Sequence, residues 1–84
     1  MEKDKFIKDV KEVENNFNDG EFILNTILSW MKESKANKLF IPGKYLTIED
    51  NKILVNGIQT TEIKAIQDLY YDVREVFIRA LFNS

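Results

Sequence analysis

TEIKAIQDLYYDVREVFIRALF, residues Thr61 to Phe82, is the stretch on which the reading of this chain turns. At ~100° per residue in a helix, Ile63, Ile66, Leu69, Tyr70, Val73, Val76, Phe77, Ala80 and Leu81 fall on one broad stripe. Tyr71, Ile78 and Phe82 fall on a second stripe, roughly opposite the middle of the first. A helix with one apolar stripe packs on one core, whereas a helix with two lies between two packing partners. Phe82 sits in the last turn, where helices fray, so an aromatic there is expected to have something holding it. Three coverings of the second stripe are open: the first helix of the same chain laying its narrow apolar seam over Tyr71, Ile78 and Phe82, a second copy across a two-fold axis, or a different protein. Tyr71, Ile78 and Phe82, with Arg74 and Glu75 beside them, are therefore the candidate protein interface.

Upstream of this helix the pattern changes to alternation. Tyr45-Leu46-Thr47-Ile48 and Lys52-Ile53-Leu54-Val55 read as two strands about a Glu49-Asp50-Asn51 turn, a β-hairpin over residues 44–56. Leu39-Phe40-Ile41 offers a short further strand at 39–41, stopped by Pro42-Gly43, a pair suited to a type II turn. Asn56-Gly57 is a strong turn dipeptide. With only Ile58-Gln59 beyond it, it is expected to redirect the chain toward the last helix rather than to close another hairpin. Thr60 or Thr61 is then the expected cap, with Glu62 in the first helical turn. A two-stranded sheet is marginal by itself in water, so the hairpin must lie on a helix, and the broad stripe is its natural cover.

The N-terminal part reads as two helices, 3–17 and 20–35. Phe6, Val10, Val13 and Phe17 follow a four-three-four spacing, a seam about as narrow as that of a coiled coil. Asn18-Asp19-Gly20 ends the first helix, and Asn18 with Glu21 three residues on has the spacing of a capping box for the second. That second helix buries a wide arc of Ile23, Leu24, Ile27, Leu28, Trp30 and Met31. The short connection makes the two an antiparallel helical hairpin. The expected architecture is a small single α+β domain of order α-α-β-β-α, with helical hairpin and β-hairpin packed around the long C-terminal helix.

Composition narrows the function classes. Eighty-four residues make one domain at most, with 44% hydrophobic and 31% charged residues. A chain of this length buries roughly 60–65% of the surface its unfolded form exposes, which leaves a core with little surplus stability. Cysteine and histidine are both absent. Disulfides, thiolate metal sites, the commonest metal ligand and the usual general base near neutral pH are thereby removed. A partner subunit is the remaining easy support. The formal net charge of −2 disfavours non-specific binding to nucleic acid or an anionic membrane, which needs a clustered excess of Lys and Arg. No apolar run approaches a membrane span, and MEKDKFIKDVKEVE has no signal-peptide pattern; a cytoplasmic protein is expected. The wealth of Lys, Asn, Ile, Phe and Glu suits an AT-rich genome such as that of a low-GC bacterium or its phages.

Side-chain chemistry is sparse. Asp68, Asp72 and Glu75, with Arg79 four residues beyond Glu75, have the spacing of a solvated, salt-bridged helix face. Glu49-Asp50-Asn51 cannot supply the six to eight oxygens that calcium takes. Gly20, Gly43 and Gly57 are too scattered to cradle a phosphate. A winged helix-turn-helix places three helices before its wing, with an exposed basic recognition helix; here two precede the hairpin, and Lys3, Lys5, Lys8 and Lys11 are interleaved with Asp4, Asp9 and Glu12. The sequence thus points to a non-enzymatic protein-binding module without metal or cofactor. It is expected to act through apolar helix surface as a regulator, adaptor or inhibitor, of phage or mobile-element type, and as a homodimer. A DNA-binding regulator of winged-helix-like type is the alternative, and a structural or assembly protein the second alternative.

Overall fold

Each sequence-level break in hydrophobic period becomes a boundary between elements. The computed structural model describes residues 1–83. Three helices, α1 (Lys3–Asn15), α2 (Gly20–Glu33) and α3 (Ile63–Phe82), enclose one sheet of β1 (Lys38–Ile41), β2 (Lys44–Glu49), β3 (Lys52–Val55) and β4 (Ile58–Gln59). The order along the chain is α-α-β-β-β-β-α. The strands form an antiparallel meander, β1-β2-β3-β4.

Turn stereochemistry sets the sheet. Asp50 and Asn51 both take positive φ, +52° and +61°, between the paired Glu49 and Lys52. Two central residues at positive φ make the two-residue hairpin turn whose twist matches the flanking strands. Asn56 and Gly57 repeat this at +52° and +83°. Contrary to the expectation of a simple redirection, they do close a further hairpin: Val55 pairs with Ile58 and Leu54 with Gln59. Asn56 locks the corner with its side-chain oxygen, which accepts from the Tyr45 N–H at 2.9 Å, while its own N–H donates to the Tyr45 carbonyl at 2.8 Å. Two residues suffice for β4 because Asn56 is bonded across to the neighbouring strand. The 39–41 segment is also a true strand, pairing Leu39 with Leu46 and Phe40 with Tyr45.

Helix ends differ from the sequence reading by small, explicable amounts. Helix α1 stops at Asn15 rather than 17, where the Asn16 side-chain amide donates back to the Glu12 carbonyl at 2.8 Å. Asp19, not Asn18, caps α2, accepting from the Phe22 N–H at 3.1 Å. Helix α2 ends in a Schellman arrangement: Lys35 takes φ of +55°, and Ala36 N–H reaches the Met31 carbonyl at 2.8 Å. Neither Thr60 nor Thr61 caps α3, which begins after Glu62 without a side-chain cap.

The core lies between the inner sheet face and the helices. Leu46, Ile53 and Ile41 are buried under it, and Leu39, Ile48 and Val55 are partly buried. Cover is shared rather than supplied by α3 alone: β3 lies against α2 and β1 against α3. Ile66, Leu69, Tyr70, Val73 and Phe77 of the broad stripe are buried, whereas Ile63 at the helix start is exposed. Trp30 is fully buried, with ring centroids 4.7 Å from Phe6 and 5.8 Å from Phe77. Its indole N–H donates to Asp9 Oδ2 at 3.0 Å, and Lys5 reaches both Asp9 and Glu33, so one polar cluster staples α1 to α2.

Candidate functional site

The second stripe of α3 is flanked by α1, and the two helices leave a groove between them. Phe6 of α1 lies 6.4 Å from Phe82, and Phe17, just past the end of α1, lies 5.5 Å from Tyr71, measured between ring centroids. The covering is partial. Tyr71 remains 47% exposed, Phe82 43% and Ile7 of α1 41%. An apolar trough of about 410 Å³ runs between the helices, floored by Ile7, Val10, Ile78 and Phe82. A polar pocket of about 470 Å³, formed by Glu14, Phe17, Tyr70, Tyr71 and Arg74, adjoins it. Glu14 and Arg74 border both spaces.

Four of the five residues expected at an interface therefore meet at one feature: Tyr71, Arg74, Ile78 and Phe82 line the groove. Glu75 lines neither space; its carboxylate accepts from Arg79 Nε at 3.2 Å on the exposed side of the helix. Of the groove residues contributed by α1, Phe6 and Val10 belong to the apolar seam read from spacing, whereas Ile7, Lys11 and Glu14 escape sequence reasoning. Their signal was Ile7 flanking the narrow seam, but only the placement of α1 beside α3 gives it meaning.

Electrostatics divide the groove. The Arg74 guanidinium stacks over the Tyr71 ring at 4.9 Å and the Tyr70 ring at 5.6 Å. Such cation–ring contacts are favourable where water is partly excluded. Tyr70 is fully buried, and among the described residues neither its hydroxyl nor the buried Arg74 Nε has a hydrogen-bond partner. Burial pushes the Tyr70 hydroxyl above its ordinary pKa, while the charge and the close approach of the Arg74 side chain, which falls short of hydrogen-bond geometry, pull the other way. At the apolar end, Lys3 Nζ lies 5.4 Å from the Phe82 ring centre.

Two further surfaces stand apart from the groove. A cleft of about 610 Å³ opens between α2, β3–β4 and the start of α3; Asn18, Asn25, Gln59 and Thr61 rim it over Leu24 and Ile66. Its lining is scattered over four elements, so no local motif announces it. On the outer sheet face Phe40 is 80% exposed and stacks on Tyr45 at 4.6 Å. No group of three or more acidic, His or Cys side chains able to hold a metal occurs among the described residues. No helix among them is long and apolar enough to cross a membrane. Of the wet-side carboxylates, Asp72 accepts from Lys44 at 2.6 Å and Glu75 from Arg79 at 3.2 Å as ordinary surface pairs.

Comparison of the chain with protein-family models, curated proteins and solved structures finds no match.

Proposed function

We propose that this chain is a non-enzymatic protein-binding module, a small regulator, adaptor or inhibitor, whose α1–α3 groove receives side chains from another polypeptide. One observation carries the reading: Ile7 and Phe82, each more than two-fifths exposed, line a single trough with Val10 and Ile78, and Tyr71, 47% exposed, lines the pocket that shares Glu14 and Arg74 with it. Isolated exposed apolar residues need no explanation, whereas a contiguous apolar patch marks an interaction site.

Magnitudes refine what kind of binding this supports. Fully burying one such side chain stabilises by roughly 1.5–3 kcal/mol. The three exposed side chains have about half of that left to gain, so covering them yields about 2–4 kcal/mol. Association costs roughly 4–15 kcal/mol in lost freedom. The trough alone is too small for a tight complex, and a partner must also gain from the polar end.

A homodimer with α3 against its own copy is the second reading, favoured by the exposure of Tyr71 and Phe82. Two copies bring six half-covered side chains, about 4–9 kcal/mol gross, which suits a weak dimer at most. Light scattering coupled to size exclusion at high micromolar concentration separates the two. If the wild type self-associates, Tyr71→Ala combined with Ile78→Glu should return a folded monomer. A wild type that stays monomeric ends the dimer reading. Host proteins retained on the immobilised wild type and lost on the same double variant support the groove as the interface. An identical retained set on both removes it.

A further inference from the structure

The polar end of the groove has a chemistry of its own. Tyr70 offers a fully buried hydroxyl, and Arg74 a buried Nε–H, that find no acceptor within the described residues. Leaving such groups unpaired costs free energy, and far more for a charged donor than for a neutral one. A guanidinium held by two rings is also pre-oriented, so little freedom is lost when it meets a planar acceptor. The groove carries more unpaired positive than negative charge, in a chain whose overall charge is negative. Lys3, Lys11 and Arg74 border it, none of them in an ion pair among the described residues, against Glu14 alone.

From this juxtaposition we propose that the Tyr70–Arg74 pocket is a carboxylate-binding anchor, and that the groove's occupant is an amphipathic helix of a partner protein carrying an Asp or Glu beside its apolar face. The apolar side chains of that helix lie in the trough over Ile7, Val10, Ile78 and Phe82, and its carboxylate meets the partly exposed Arg74 side chain, whose shift uncovers its Nε–H and the Tyr70 hydroxyl, both sealed from solvent in the unbound chain. A carboxylate is acceptor-only, which matches a pocket whose two orphan groups can both donate. Lys3 and Lys11 at the rim steer and screen the remaining acid of such a helix. Glu14 opposes the anchor, so it weakens binding and raises selectivity for a segment that fills the trough as well. The inference rests on the groove being an interface, and it adds what the occupant must carry.

The test displays a library of helix-forming peptides, with apolar residues at i, i+3, i+4 and i+7 and the flanking positions randomised, and selects it on the full-length chain. Ile78→Glu, which blocks the trough, Arg74→Met and Tyr70→Phe serve as parallel targets. Tyr70→Phe deletes only an unpartnered hydroxyl, so it keeps the fold even if Arg74→Met does not. Wild-type binders should be enriched in Asp or Glu at one fixed offset from the apolar positions. Replacing that acid by Asn or Gln should weaken binding roughly tenfold to a hundredfold, the effect of a charge-assisted hydrogen bond. Most of that difference should vanish on Arg74→Met, and part of it on Tyr70→Phe, while Glu14→Gln should tighten the acidic binders. Binders that are lost on Ile78→Glu yet show no acidic preference overturn the anchor and leave the groove reading intact. The same holds for a preference that survives both pocket variants. Binders indifferent to Ile78→Glu, or none at all, overturn the groove reading itself. Selected wild-type sequences that mimic α1 or α3 of this chain would identify the occupant as a second copy and overturn a distinct partner.

Discussion

Replacing Tyr70 by Phe should stabilise this protein, against the usual direction of a core Tyr→Phe change. A buried tyrosine hydroxyl ordinarily makes a hydrogen bond whose loss costs about 1 kcal/mol. Here the side chain is fully buried and the hydroxyl has no partner among the described residues, so folding strips it of water without return. That desolvation costs about 1–3 kcal/mol. Phenylalanine keeps the ring contacts with Trp30 at 5.9 Å, Phe17 at 6.1 Å and Arg74 at 5.6 Å. The space vacated is that of a single oxygen, so little cavity penalty offsets the gain. The net expectation is about 1 kcal/mol of added stability, which for a domain of this length raises the melting temperature by about 4–8 °C. Thermal and urea unfolding followed by circular dichroism at pH 7 read it directly. A fall of several degrees would mean that the hydroxyl is paired in solution, most simply to Arg74, and the argument for an open anchor would go with it. Alkaline pH supplies an internal check. Because burial raises the Tyr70 pKa above its ordinary value near 10, the unfolded chain loses this proton first as pH rises. The folded state then binds more protons than the unfolded one, so stability falls with pH in that range. The contribution is complete below about pH 10 and declines through the raised folded-state value; the slope there should be shallower in Tyr70→Phe.

Other expectations follow from single residues. Val73 is fully buried on the broad stripe of α3, so Val73→Asp should cost more than about 4 kcal/mol by burying an unpaired charge, enough to unfold so small a domain. A native circular-dichroism spectrum for that variant would show that the core-facing side of α3 is misassigned. Asp9→Ala orphans the buried Trp30 indole N–H and releases Lys5, so a loss of about 1.5–3 kcal/mol in urea midpoint experiments is expected. Gly57, at φ of +83° in the last hairpin, should tolerate Asn better than Val, and amide exchange of Ile58, which pairs with Val55 across the turn, should speed up in the valine variant only.

Much of the architecture was legible because it is written locally. Phe6, Val10, Val13 and Phe17 follow one helical face, and Phe6 and Val13 are indeed buried. Pro42-Gly43 and Asp50-Asn51 mark turns through their own backbone preferences. Where the structure departs from the sequence reading, pairing and packing decide. Asn56-Gly57 closes a hairpin although two residues look too few for a strand, because the adjacent β3 supplies the pairing and the Tyr45–Asn56 bonds, from a strand further back in the chain, hold the corner. Asn18 and Asp19 are equivalent caps on composition; which one reaches the Phe22 N–H depends on how the chain leaves Asn16. For the groove, Tyr71, Arg74, Ile78 and Phe82, and Val10 on the seam of the first helix, could be found from helical spacing, whereas Ile7 and Glu14 could not. Nothing in their own neighbourhood says how α1 is turned against α3.

The sequence by itself determined the α+β class, the three helices and the presence of greasy side chains on two flanks of the last one. Period and turn preference act over a few residues and survive any rearrangement of the whole. Only the tertiary structure decided how much of the second flank stays wet, because that depends on α1 half-covering it through Phe6 and Phe17. It also decided that Tyr70 and Arg74 line one pocket with the Tyr70 hydroxyl and the Arg74 Nε unpaired among the described residues, since desolvation is a property of the packed assembly and of no residue alone.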